Sequence, residues 1–167
     1  DSVASRGLGD VYKRQCITGC DLPDSQKALD LAKKFPDNLV STCGIHPHYA
    51  DSFNENSKKE IQEICKNSLV KAIGETGLDF NRNYSDKKNQ IKSFLAHIKL
   101  ANSLNLPMFL HQRDAHKEFM NCLSTETPKI NCVVHCFTGN KKELFEYLDK
   151  DFYLSLIHIS EPTRRYA

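Results

Sequence analysis

At 167 residues, with 40% hydrophobic and 26% charged side chains, the chain has the composition of one soluble globular domain. Its 23 basic and 21 acidic residues leave a formal net charge of +2, with no long run of either sign, so bulk charge neither demands nor excludes a nucleic-acid partner. No stretch approaches the roughly 18 consecutive apolar residues of a membrane helix, which excludes a spanning helix and predicts no membrane partner.

Short β-branched runs alternate with longer amphipathic stretches, the signature of βαβ units around a parallel sheet. Cys16-Ile17-Thr18-Gly19 reads as a strand end. A helix over Asp24 to Phe35 follows, with Ala28, Leu29, Leu31, Ala32 and Phe35 at helical spacing between Pro23 and Pro36. Leu39 to Gly44 is the next predicted strand. The loop Ile45-His46-Pro47-His48 leads from it to a helix around Ser57 to Lys66. Leu69 to Ile73 is predicted as strand, Gly74 to Ser85 as loop, and Asp86 to Asn105 as a long helix whose apolar stripe holds Ile91, Phe94, Leu95, Ile98, Leu100 and Ala101.

Pro107 to Leu110 reads as a strand ending at His111, followed by a short helix over Asp114 to Leu123. Ile130 to Val134 reads as another, ending at His135, with Lys141 to Leu148 as its helix, and Phe152 to Leu154 opens a sixth. Residues 1–15 and 155–167 show neither periodicity and resemble translated adapter read-through, so they are expected to be non-native or disordered, leaving 16–154 as the folded unit.

The seven cysteines are an odd set with no secretory signal ahead of them. Free thiols in a reducing compartment, the cytoplasm or the nucleus, are therefore expected. Both close pairs, Cys16/Cys20 and Cys132/Cys136, have three intervening residues, which does not fit the usual zinc-knuckle gap of two.

Chemistry collects at the predicted strand ends. His46 and His48 follow the second strand, Glu75 and Asp79 the third, His111 and Arg113 the fourth, and His135 the fifth. In a parallel α/β barrel these points converge on one face, where the active site lies. A carboxylate with imidazoles suits Zn²⁺, Mn²⁺ or a similar ion, and metal-assisted hydrolysis is the natural chemistry. No nucleophile elbow, dinucleotide fingerprint or Walker motif is visible.

Four segments, Gly44-Ile45-His46-Pro47-His48, Ile73-Gly74-Glu75-Thr76-Gly77-Leu78-Asp79, Leu106 to Ala115 and Val134-His135-Cys136-Phe137-Thr138-Gly139, resemble in order and spacing the signatures of the TatD DNase family. Thr18-Gly19, Gln90 and Phe94 fit it too. The resemblance implies an amidohydrolase-type TIM barrel binding two divalent metal ions (Mg, Mn or Zn) and hydrolysing phosphodiester bonds of DNA, often from the 3′ end. It implies that Glu75 is catalytic and shared by the two ions, and that His111 and His135 are metal ligands. His46 and His48 would line the phosphate pocket, with Asp79 and Arg113 nearby, either as a salt bridge or as substrate contacts.

The family's opening Asp-x-His-x-His strand and closing Thr-Asp-x-Pro strand do not occur in these residues, and three of six expected ligands go with them. A (β/α)8 barrel also typically needs about 250 residues. The fold expected is therefore α/β, a partial (β/α)8 TIM barrel of about six parallel strands with the first and last barrel strands missing. A chain with this half-site is expected to be inactive by itself, its parent gene product an active hydrolase. Two other functions fit the residues: a metal-dependent hydrolase of small esters, amides or aminoacyl-tRNA, and a noncatalytic partial gene product. No protein partner is indicated.

Overall fold

Strands and helices alternate strictly in the computed structural model, which describes residues 14–156. The elements are β1 (Gln15–Ile17), α1 (Leu22–Lys34), β2 (Leu39–Cys43), a 3-10 helix (Pro47–Ser52), α2 (Glu55–Ile64), β3 (Val70–Asp79), α3 (Lys87–Leu104), β4 (Met108–Arg113), α4 (His116–Thr125), β5 (Cys132–His135), α5 (Lys141–Leu148) and β6 (Tyr153–Leu154). The strands form one sheet in chain order, every neighbouring pair parallel. Sequential parallel strands joined by covering helices make the parallel sheet that the alternation predicted and the partial α/β barrel that the resemblance implied. Residues 1–13 and 157–167, which make up most of the two segments expected to be non-native, lie outside the described residues. No described helix is long and apolar enough to cross a membrane.

Local chemistry sets the helix ends. Asp21 caps α1 by accepting the Asp24 N–H at 2.7 Å, Asn54 and Ser57 form a reciprocal capping box on α2, and Asn140 accepts two N–H groups at the start of α5. Each supplies an acceptor to backbone donors that have no partner within the helix. At the far end of α3, Asn105 adopts the left-handed conformation (φ 55°) that terminates a helix. The core lies between sheet and helices. Phe94 of α3 stacks on Phe119 of α4 at 4.8 Å, both fully buried, and truncating either to alanine would cost about 3–5 kcal/mol.

Three expectations change. The 3-10 helix over Pro47–Ser52 occupies what reads as loop. Leu31 and Phe35 are exposed; only Ala28, Leu29 and Ala32 of the predicted α1 stripe face the sheet. The predicted loop from Gly74 is strand as far as Asp79, so Glu75 stands within β3 and Asp79 ends it. Gly74 and Gly77, at φ 140° and 143°, explain the misreading: a Cβ at Gly74 would strike the Phe109 carbonyl oxygen, and one at Gly77 that of His111. In this strand glycine marks the close approach of β4 rather than a turn.

Candidate metal centre

β3 and β4 supply the middle of the site. Their register pairs Gly77 with His111 and Asp79 with Arg113, placing the His111 ring between two carboxylates. Its Nδ1 lies 3.0 Å from Glu75 Oε1 and its Nε2 3.2 Å from Asp79 Oδ2. His48 reaches the same Asp79 oxygen at 2.8 Å. Asp79 Oδ1 accepts the N–H groups of Asn81 and Arg82 at 3.0 and 2.8 Å. Burial alone would push the Asp79 carboxyl up, but the Arg82 N–H and the His48 and His111 imidazoles outweigh it and hold its pKa at about 2. Glu75, 8% exposed, behaves alike: burial opposes its charge, yet the hydrogen bond from His111 and the charges of His46, His111 and His135 keep its pKa below the usual carboxylate value. Both carboxylates are built to stay ionised.

His46, Glu75 and His111 bring one ligand atom each to within 4.8 Å of one another, the single such grouping among the described residues. A carboxylate and imidazoles are donors of the right kind for a divalent transition ion, so the chemistry of the set fits. The His46 ring carries a further constraint. Its Nδ1 accepts the His48 N–H at 3.2 Å, so the neutral ring bears its proton on Nε2, which points at Glu75 Oε1 3.9 Å away. Burial, together with the neighbouring His111, lowers the His46 pKa to about 4. In this arrangement His46 is a hydrogen-bond donor toward an oxygen. It becomes a metal ligand only if the His48 cap opens.

His135 stands apart from this grouping. It is the register partner of His111 on β5, but its Nδ1 meets Ser155 Oγ and its Nε2 meets Cys136 Sγ, each at 3.0 Å. Ser155 also binds the sheet's end, donating to the Val134 carbonyl and accepting from the Phe137 N–H. Arg113 is exposed, and its side chain makes no ion pair with any described residue; Asp79 is taken by histidines instead. The salt-bridge alternative for that pair therefore falls.

The sequence reading gave no role to two positioning residues: Gln90 entered it only as part of the family resemblance, and His97 only as a residue of the long helix. Gln90, fully buried on α3, accepts the Asp79 N–H (2.9 Å) and donates to the carbonyls of Asp79 and Ser85 (3.1 and 3.0 Å). His97, also fully buried, accepts the Ile45 N–H at 3.1 Å and donates from Nδ1 to the Ser93 carbonyl at 2.7 Å, fixing the backbone beside His46. The signal was available, because both interrupt the apolar face of α3 with a polar residue, and such residues are retained when they satisfy buried backbone groups.

Fold and site together define a partial α/β barrel that carries a carboxylate–imidazole cluster on its strands. A family model described as TatD related DNase matches residues 3–165, and the chain belongs to that family. A protein of Erwinia tasmaniensis named 3′-5′ ssDNA/RNA exonuclease TatD is 39% identical over 157 residues, which is 93% of this chain and 61% of the relative. The protein of the same name from Yersinia pseudotuberculosis is 46% identical over 129 residues, 77% of this chain and 50% of the relative. The chain thus spans between half and about three fifths of these relatives. A crystal structure of a hydrolase TatD family protein from Entamoeba histolytica superposes with a TM-score of 0.81 at 27% identity, covering 91% of this chain and 54% of that one.

Proposed function

We propose that the protein carrying these residues is a divalent-metal-dependent nuclease that hydrolyses phosphodiester bonds of single-stranded DNA from the 3′ end. The observation that carries this reading is the convergence of Glu75 on β3, His111 on β4 and His46 just past β2, three residues from adjacent parallel strands. The relatives named as 3′-5′ exonucleases, aligned over nearly the whole chain, support the choice of nucleic acid as substrate.

Glu75 and His111 are the proposed ligands of the first ion, with Glu75 shared by a second and His135 completing the β5 side once its ring leaves Ser155 and Cys136. The ions are Mg²⁺, Mn²⁺ or Zn²⁺. A divalent ion held by these residues would supply activation of water and stabilisation of charge on the phosphate oxygens. The chain's own residues do the rest. His46 donates from Nε2 to a non-bridging phosphate oxygen, and His48, its Nε2 held by Asp79, packs beside it. Arg113, at the end of β4 and without an ion pair among the described residues, supplies a compensating charge. Asp79 stays outside the reaction and keeps the two imidazoles aligned.

The test is metal-dependent shortening of a 5′-labelled single-stranded oligonucleotide by the protein carrying this sequence. Manganese-dependent 3′ trimming, abolished by Glu75→Ala, is the expected result. No trimming by wild-type protein at saturating manganese, or equal trimming by the variant, would overturn the reading.

A further inference from the structure

We propose that Tyr84 is a stacking platform for a nucleobase of the substrate strand, with Arg82 and Arg113 holding the adjoining phosphates; this rests on the nuclease reading. Tyr84 lies in the β3–α3 loop and is 65% exposed, the largest exposure among the large apolar side chains of the described residues. Its ring meets the His48 imidazole edge-on at 4.8 Å and 72°. His48 in turn shares the Asp79 carboxylate with His111, so the tyrosine stands one imidazole away from the proposed metal centre.

An exposed ring alone would mean little, since scattered apolar residues are normal on protein surfaces. The support beneath this one is different. Asp79 holds the N–H groups of Asn81 and Arg82, Asn81 is tied to Asp114 of the next loop at 2.8 Å, and Asn83 donates to the Phe80 carbonyl. Ser85 donates to the His48 carbonyl at 2.8 Å while Gln90 holds the Ser85 carbonyl. The flanking backbone is pinned on both sides while the ring itself stays in water. Such a ring contributes little to the fold, but it offers a ligand a flat surface whose ordering cost is already met.

Arg82 follows Asn81 in this loop and Arg113 ends the neighbouring strand. Both are exposed, and neither guanidinium makes a hydrogen bond or ion pair with a described residue. Aromatic faces beside free cations are the elements of single-strand binding: stacking accepts any base, and the cations take the backbone. The net charge of these residues is close to even, so the local pair is the concentration of free positive charge beside the ring.

Fluorescence anisotropy with a dye-labelled, cleavage-resistant phosphorothioate oligodeoxynucleotide measures the effect, alongside Mn²⁺ binding by each variant. Tyr84→Ala is expected to weaken oligonucleotide binding about tenfold, Tyr84→Phe to leave it unchanged, and Mn²⁺ affinity to stay the same in both. The alanine effect should vanish on an oligonucleotide of abasic residues, and binding should weaken with salt less steeply in Arg82→Ala. Wild-type affinity in Tyr84→Ala, or an equal loss on the abasic strand, overturns the stacking role alone. Failure of the wild type to bind either oligonucleotide while it binds Mn²⁺ overturns the nuclease reading, and the platform with it.

Discussion

The two sides of the site are built to different standards. On the β2–β4 side, His46, His48, Glu75, Asp79 and His111 form one continuous hydrogen-bonded set, with Glu75 and Asp79 buried and Gln90 and His97 bracing the backbone from α3. On the β5–β6 side, His135 and Cys136 are half-buried, β5 has four residues and β6 two, and the imidazole is held by a serine hydroxyl and a thiol. A ligand set embedded in satisfied buried polar groups is preorganised. The second half must reorient before it can share an ion, so the β2–β4 side should dominate metal binding, stability and pH response.

The largest expected effect tests that ranking directly. Glu75→Ala should weaken Mn²⁺ binding by more than about a hundredfold, and His135→Ala by about tenfold, as read by calorimetric or electron paramagnetic resonance titration. The opposite order would place the primary ligands on β5 and break the comparison.

Next is Gln90→Leu, which leaves the Asp79 N–H and the Asp79 and Ser85 carbonyls without their partner inside the protein. Unpaired buried groups are costly, and a loss of about 2–4 kcal/mol in urea unfolding is expected. A loss below about 1 kcal/mol would mean that water replaces the amide and that α3 braces the site less than its contacts imply.

A smaller effect appears with pH. Burial lowers the His97 pKa from 6.5 to about 4 in the folded protein, and protonation of Nε2 would set its N–H against that of Ile45. The unfolded chain therefore binds the extra proton first. Stability is fully present above pH 6.5 and is lost as pH falls toward 4, by about 2 kcal/mol between pH 7.5 and 5 from this residue. His97→Gln should flatten that part of the profile. A slope unchanged in the variant would assign it to His46, whose pKa is lowered in the same direction.

The smallest change belongs to the other side: Cys136→Ala should alter unfolding stability by no more than about 0.5 kcal/mol, because the thiol is half-buried and bonded only to His135. A larger loss would show that the β5 end is braced more firmly than its partners indicate.

Much of this was legible in the sequence because apolar period and strand-end chemistry are local signals. The predicted run Pro107 to Leu110 overlaps β4, which continues to Arg113, and Lys141 to Leu148 marks α5 at both ends; Glu75 and His111 meet as their spacing suggested, but from within strands rather than from the loops after them. What escaped depends on neighbours distant in the chain. The reach of β3 to Asp79 is set by how closely β4 approaches its two glycines, a fact carried by the pairing and not by β3 itself. The tautomer of His46 is set by a backbone N–H two residues on. The braces Gln90 and His97 become visible only once α3 lies beneath Asp79 and Ile45. Side-chain identity announces a ligand; its proton and its supports are decided by packing.

The bare positions at Gly74 and Gly77 have a consequence for inheritance. Any side chain there would collide with a main-chain oxygen of β4, and no adjustment of a flexible neighbour can make room. At these two sites, which flank Glu75 and Thr76, the alphabet of tolerated residues shrinks to one letter. Moving the carboxylate onto another barrel strand would therefore mean transplanting a spacing, glycine on either side of the acid and its neighbour, as a single heritable unit.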